Sequence, residues 1–220
     1  MTIHNKKNVP VFIIPLLFLF LLQSCDIEFG SSDDDDGNQS EDTMLTGQIE
    51  EIIPSRDTEG ITVEVEDENS DFTFEDITDS SGFFEVVGGF CGNSIISFLD
   101  EDGDSLGNLS IDIFPGAEID LGGLEISTSS VTLLDDIFVE FIGDVIENSC
   151  DGTGSIIVEI DHDCGDEVEV LVNIDSSVDI TIENNDIDCE DIELGEEVTV
   201  EGVLVFGNTV DAEDIEIEDD

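Results

Sequence analysis

The sequence predicts an all-β protein: an antiparallel β-sandwich followed by a small five-stranded barrel, carried behind an export signal and a disordered acidic tether. Three observations lead there. Beyond Met44, apolar and acidic residues alternate in segment after segment, the period that puts apolar side chains on one sheet face and carboxylates on the other. Clusters of Gly, Pro, Asn, Asp and Ser separate those segments, as turns separate short strands. No stretch sustains a helical period, and the 39% of residues that are hydrophobic are interleaved with the acidic ones, which favours packed cores over acidic disorder.

The amino terminus carries Lys6 and Lys7 and then an apolar run from Val11 to Leu22, the layout of a secretory signal. A dozen residues fall short of the ~20 that span a bilayer. The run ends in Leu22-Gln23-Ser24-Cys25, which resembles the lipobox of bacterial lipoproteins: an aliphatic residue, a small residue before the cut, then cysteine. Gln23 departs from the usual occupant of its position. The resemblance implies that residues 1–24 are removed, that the Cys25 thiol takes a diacylglyceryl group and that the new terminus is acylated. Several chains anchor far more firmly than one. The expected location is therefore the cell envelope, lipid-anchored to a membrane and facing the periplasm or the exterior.

Residues 25–44 form the tether. Gly, Ser, Asn and Gln surround the run Asp33 to Asp36, so there is little to bury and like charges keep the chain extended. All fifty-nine acidic residues follow the signal, and after it Arg56 is the single Lys or Arg. Such a surface offers no basic stripe to phosphate backbones or anionic headgroups, which excludes nucleic acid as a partner. Solubility or life in concentrated salt explains the acidity without a ligand.

Residues 45–127 form the first module. Val63 and Val65, Phe84 and Val86, Ile111 and Ile113, and Ile119 and Leu121 alternate with acidic or polar residues. Turns are expected at Pro54-Ser55, Glu68-Asn69-Ser70, Asp79 to Gly82, Asp102 to Asp104 and Pro115-Gly116. Asp79 and Gly82 suit positions i and i+3 of a type I turn, with Phe84 and Val86 sent inward by the strand that leaves it. Leu45-Thr-Gly47-Gln-Ile49, Gly60 to Val65, Thr78 to Val86 and the ending Gly116 to Gly122 resemble the carboxypeptidase regulatory-like family. The resemblance implies a prealbumin-like sandwich; it specifies a fold and no activity.

Residues 128–220 form the second module. Strands are expected at 138–146, 155–161, 167–173, 197–205 and 209–217, and five short strands suggest a closed or partly open barrel. Gly143 to Ile146, Ile192 to Gly202 and Val210 to Ile215 resemble an uncharacterised bacterial domain family often found in lipoproteins. That resemblance implies an OB-like barrel of unknown function.

Few residues invite chemistry. With Cys25 reserved for lipid, Cys91, Cys150, Cys164 and Cys189 remain in a compartment where disulfides persist. Cys150 and Cys164 flank a strand whose length, at ~3.3 Å per residue, exceeds the ~7 Å reach of a bridge. Cys189 can return to the turn holding Cys150, so Cys150–Cys189 is the expected pair, with Cys91 and Cys164 either free or joining the modules. His162 and Cys164 place a base near a thiol, but the segment reads as a hairpin turn with solvated charges, and no catalytic residue is assigned. The loop Asp100, Asp102, Asp104 is a candidate for weak calcium binding; its glycine at the fourth position and Ile111 at the twelfth fail the EF-hand pattern. No cofactor is required. The expectation is a non-enzymatic structural or interaction module of the envelope, with an envelope protein or a glycan as partner. The alternative is a carbohydrate- or calcium-dependent adhesion module, against which the absence of Trp and Tyr counts.

Overall fold

Each alternating segment becomes a strand because its apolar residues share one face to bury. The computed structural model describes residues 42–67, 72–90, 92–127, 130–161, 167–182, 185–205 and 207–218. The first module contains β1 (Thr43–Ile53), β2 (Thr62–Asp67), β3 (Thr73–Ile77), β4 (Phe83–Gly88), β5 (Gly92–Leu99), β6 (Ser105–Ile113), β7 (Glu118–Ser127) and β8 (Ser130–Leu133). Strands β3-β2-β5-β6 form one sheet, while β4, β1, β7 and β8 belong to the other. The two pack face to face through Leu45, Val63, Val65, Phe84, Val86, Ile96 and Phe98, all buried. Across the gap, Phe84 meets Phe98 edge to face with ring centroids 6.0 Å apart.

The turn before β4 forms as expected. The Gly82 N–H donates to the Asp79 carbonyl at 3.0 Å, and Asp79 Oδ1 accepts from the Ser81 N–H at 2.7 Å and the Phe83 N–H at 3.1 Å. Gly82 has φ +82°, and a Cβ there would stand 2.3 Å from the Ile49 carbonyl oxygen, so both conformation and space require glycine.

The second module contains β9 (Ile137–Asn148), β10 (Ser155–Ile160), β11 (Val168–Asn173), β12 (Asp179–Ile182), β13 (Asn185–Asp186), a 3-10 turn at Cys189–Asp191, β14 (Glu197–Leu204) and β15 (Thr209–Ile217). Pairing runs β9–β10–β11–β15–β14 and back to β9, which closes a five-stranded barrel in the OB arrangement. Val139, Phe141, Val158, Val170, Val172, Val198, Val200, Val210 and Ile215 are buried in this module.

Three features depart from the expected plan. Strand β1 pairs with β7 in parallel, as do β11 and β12 with β15; alternation reports which face a residue takes but not which way its neighbour runs. Strands β7 and β8, on either side of the expected boundary at 127/128, pair antiparallel, and β9 pairs with β7 through Glu118↔Glu140, Ile119↔Val139 and Asp120↔Phe138. One sheet therefore runs from the sandwich into the barrel. The core is likewise a single cluster, bridged where Phe114, after β6, meets Phe141 of β9 at 5.5 Å between ring centroids. Finally, β3, β5, β8, β12 and β13 have weak or very short alternation and were not expected as strands. Among the described residues, no helix is long and apolar enough to cross a membrane.

Candidate functional site

Cys25, Cys91, His162 and Cys164 lie outside the described residues. Cys150 and Cys189 are joined in a disulfide with Cα atoms 5.7 Å apart. Asn148, at the end of β9, organises the approach. Its Oδ1 accepts from the Cys150 N–H at 2.9 Å, and its Nδ2 donates to the carbonyls of Cys189 at 3.0 Å and Ile192 at 2.9 Å.

The Asp100 loop is built as a turn. Asp100 Oδ1 accepts the N–H groups of Asp102 at 3.1 Å and Asp104 at 3.0 Å, while Oδ2 accepts from Arg56 at 2.9 Å. The bond from the Asp104 N–H, followed by Arg56 and the Asp102 N–H, holds the Asp100 carboxyl below its ordinary range. One oxygen thus closes the loop and the other accepts from Arg56, and Asp100, Asp102 and Asp104 are not gathered into a cation site. Among the described residues no group of three His, Cys, Asp or Glu is placed to hold a metal ion.

The most distinctive geometry lies where the sandwich sheet continues into the barrel. On the outer face, register places Val87 of β4 opposite Met44 of β1, Met44 opposite Glu118 of β7, Glu118 opposite Glu140 of β9, and Glu140 opposite Glu201 of β14. The next row runs Glu85, Thr46, Asp120, Phe138 and Val203. Neighbouring strands lie ~4.8 Å apart, so three glutamates stand side by side with nothing between them in the row. Like charges directly opposite each other destabilise a sheet. A cavity of about 310 Å³ opens over these residues, lined by Met44, Glu118, Phe138, Glu140, Glu201 and Glu213 among others. Partial burial pushes the Glu140 carboxyl above the ordinary glutamate range, and Glu201 and Glu118 push it the same way. Phe138 is 44% exposed and Val87 48%, so apolar side chains flank the charged row.

Alternation identifies Glu118, Glu140 and Glu201 only as outward-facing residues. That they form one row depends on the pairing of β7, β9 and β14, which come from both modules and which no local sequence signal specifies. A second acidic row, Asp144, Glu159 and Glu169, crosses β9, β10 and β11 on the barrel wall. Desolvation first, then Glu167, Glu169, Asp144 and Asp161, raises the Glu159 carboxyl.

Fold and site together define the class: an all-β protein whose sandwich shares a sheet with a closed five-stranded barrel, marked by an acidic row at the junction. No protein-family model and no curated protein matches the chain. Among solved structures, the Bacillus anthracis TIE protein is similar at 13% identity over 80% of this chain and 33% of its own, with a TM-score of 0.24. The chain thus spans about a third of that protein's chain, and likeness at this level carries no argument about function.

Proposed function

We propose that the chain is an exported lipoprotein, held to a membrane by lipid on Cys25, whose β modules serve as a non-enzymatic interaction surface of the cell envelope. The observation that carries the reading is the Cys150–Cys189 disulfide in a chain whose amino terminus has a signal-like run ending in a lipobox-like Leu22 to Cys25. Disulfides persist in exported proteins and are rare in the reducing cytosol, so the bond and the leader support the same compartment independently. The interaction role is supported by the site geometry: an open face with exposed apolar side chains flanking charged ones is suited to contact.

The test is metabolic labelling of expressing bacteria with a clickable palmitate analogue, followed by membrane fractionation. Wild type is expected to carry the label and sediment with membranes, and Cys25→Ala to lose both. Unlabelled wild-type protein, or a Cys25→Ala variant that remains labelled, would overturn the lipoprotein reading.

A further inference from the structure

A strand at the edge of a sheet carries unpaired backbone N–H and C=O groups, and folds protect such edges by shortness, charge or a covering. Most edges here are protected in those ways. On β4, Asp79 Oδ1 accepts the Phe83 N–H at 3.1 Å and Asp76 Oδ2 accepts the Glu85 N–H at 2.8 Å. Strand β3 carries Glu75 and Asp76, while β8 and β13 have four and two residues. Strand β6 is the exception. It runs for nine residues, pairs with β5 on one side, and has no backbone partner on the other side among the described residues. The register shift next to Leu106 ends the regular ladder there, and at the far end Asp112 Oδ2 lies 4.0 Å from where a Cβ on Gly207 would stand. Residues 107–111 are the clear stretch between them.

Charge selects the same stretch. In a chain whose strands alternate apolar residues with carboxylates, β5 has no Asp or Glu and β6 has only Asp112. Asn108 and Ser110 stand exposed and uncharged on its outer face, and Leu109 is only half-buried.

We propose that β6 of one copy pairs antiparallel with β6 of a second copy, joining two β3-β2-β5-β6 sheets into one across a two-fold axis at Leu109. A two-fold interface must be self-complementary, and this stretch is. The axis sets Asn108 opposite Ser110 of the second copy and Leu109 against its own counterpart, so polar meets polar and apolar meets apolar. The two Asp112 side chains are then six positions apart, about 20 Å along the ladder, beyond the ~8 Å Debye length at physiological salt. The same operation on β3 would bring Glu75 and Asp76 of both copies together, the like-charge opposition that destabilises a sheet. The acidic surface elsewhere thus steers self-association to the one long edge that lacks it.

The inference gives the interaction-module reading a partner and does not rest on the lipid, so palmitate labelling and self-association succeed or fail separately. The experiment is sedimentation of the full processed protein, with detergent micelles in excess over protein, at concentrations up to ~100 μM and at physiological and ~1 M salt. Wild type is expected to dimerise reversibly, and more tightly at high salt, where repulsion between the two acidic bodies is screened. The edge variant Asn108→Asp/Ser110→Asp sets carboxylates opposite each other across the axis and is expected to weaken the dimer about tenfold at physiological salt. The control Thr73→Asp/Ile77→Asp adds equal charge at exposed positions of β3, on the far edge of the same sheet, and is expected to change it by less than about twofold. Melting curves verify that both variants fold. Amide exchange over residues 107–111 is expected to slow as wild-type concentration rises. A monomer throughout, equal dimerisation of all three proteins, equal loss in both variants, or exchange in residues 107–111 that ignores concentration would overturn the proposal.

Discussion

Arg56 Nη1 donates to Asp100 Oδ2 at 2.9 Å, tying the segment after β1 to the β5–β6 turn. The arginine side chain is 51% exposed, so solvent screens the pair and its own contribution is small. Asp100 does more than pair, since its other oxygen accepts the N–H groups of Asp102 and Asp104. Asp100→Ala is therefore expected to lower the melting temperature more than Arg56→Gln. The effect of Arg56→Gln should fade near ~1 M salt, where the Debye length is ~3 Å, while Asp100→Ala should keep the part that comes from its bonds to the loop N–H groups. Melting scans at two salt concentrations check both. Equal effects would mean that the ion pair, and not the turn, is what Asp100 contributes.

The Cys150–Cys189 bond spans 39 residues of sequence, enclosing β10, β11, β12 and β13. Closing a loop of that length constrains the unfolded chain by about 4 kcal/mol in the chain-entropy model. The paired variant Cys150→Ser/Cys189→Ser should lose roughly 2–4 kcal/mol of stability, read as a lower urea midpoint with a steeper slope, because the unfolded chain freed of the cross-link exposes more surface. An unchanged midpoint would mean that Asn148 and the barrel ladder hold this region alone.

Acid titration should be non-monotonic. Glu140 and Glu159 are raised in the folded protein, chiefly by desolvation and then by neighbouring carboxylates, so the folded state takes up their protons first. Falling pH relieves that cost, and stability should rise as pH descends toward the ordinary glutamate range. Asp79 and Asp175 are lowered, each first by the Ser81 or Ser177 hydroxyl bond, and Asp100 first by the Asp104 N–H. Their contributions are present above the unfolded aspartate value and are lost as pH falls through the folded one. Chemical denaturation across the acid range should therefore show a maximum on the acid side of neutrality, while a monotonic fall from neutral pH would contradict it.

Gly47 and Phe84 should behave as a coupled pair. A Cβ on Gly47 would lie 2.8 Å from Phe84 Cζ, and Phe84 is fully buried. Phe84→Ala should cost about 3–5 kcal/mol. Gly47→Ala should destabilise by crowding the ring, and Gly47→Ala/Phe84→Leu should cost less than the sum of Gly47→Ala and Phe84→Leu because the shorter side chain yields the space. Additive costs in a double-mutant cycle would show that the ring shifts freely.

Much of this fold was legible because its physics is local. Val63, Val65, Phe84 and Val86 face inward as their alternation requires, and Asp79 and Gly82 close the turn their chemistry suits. The five barrel strands fall within two residues of their expected limits. The reach of a bridge relative to the length of a strand excluded Cys150–Cys164, and the return of Cys189 toward the turn holding Cys150 pointed to the pair that forms. Pairing was not legible: nothing near Glu118 or Glu140 announces that β7 and β9 lie side by side, or that the two modules share a sheet. Nor did the spacing of Asp100, Asp102 and Asp104 reveal that Asp100 would spend both oxygens on its own loop and Arg56.

The acidic row makes its own prediction for stability. Glu140 stands between Glu118 and Glu201, so neutralising the central residue removes both unfavourable pairs, whereas neutralising either end removes one. Glu140→Gln should therefore raise the melting temperature more than Glu118→Gln or Glu201→Gln. The gain should be about 1–2 °C, as expected from roughly half a kcal/mol of cross-strand repulsion in a domain of this size. The three effects should not add, because the pairs are shared. Screening should shrink the gain as salt increases. Thermal melts of the three single variants at low and high salt check the ordering; a decrease on Glu140→Gln would mean that the carboxylate makes a favourable contact within the chain and that the row is not under repulsion.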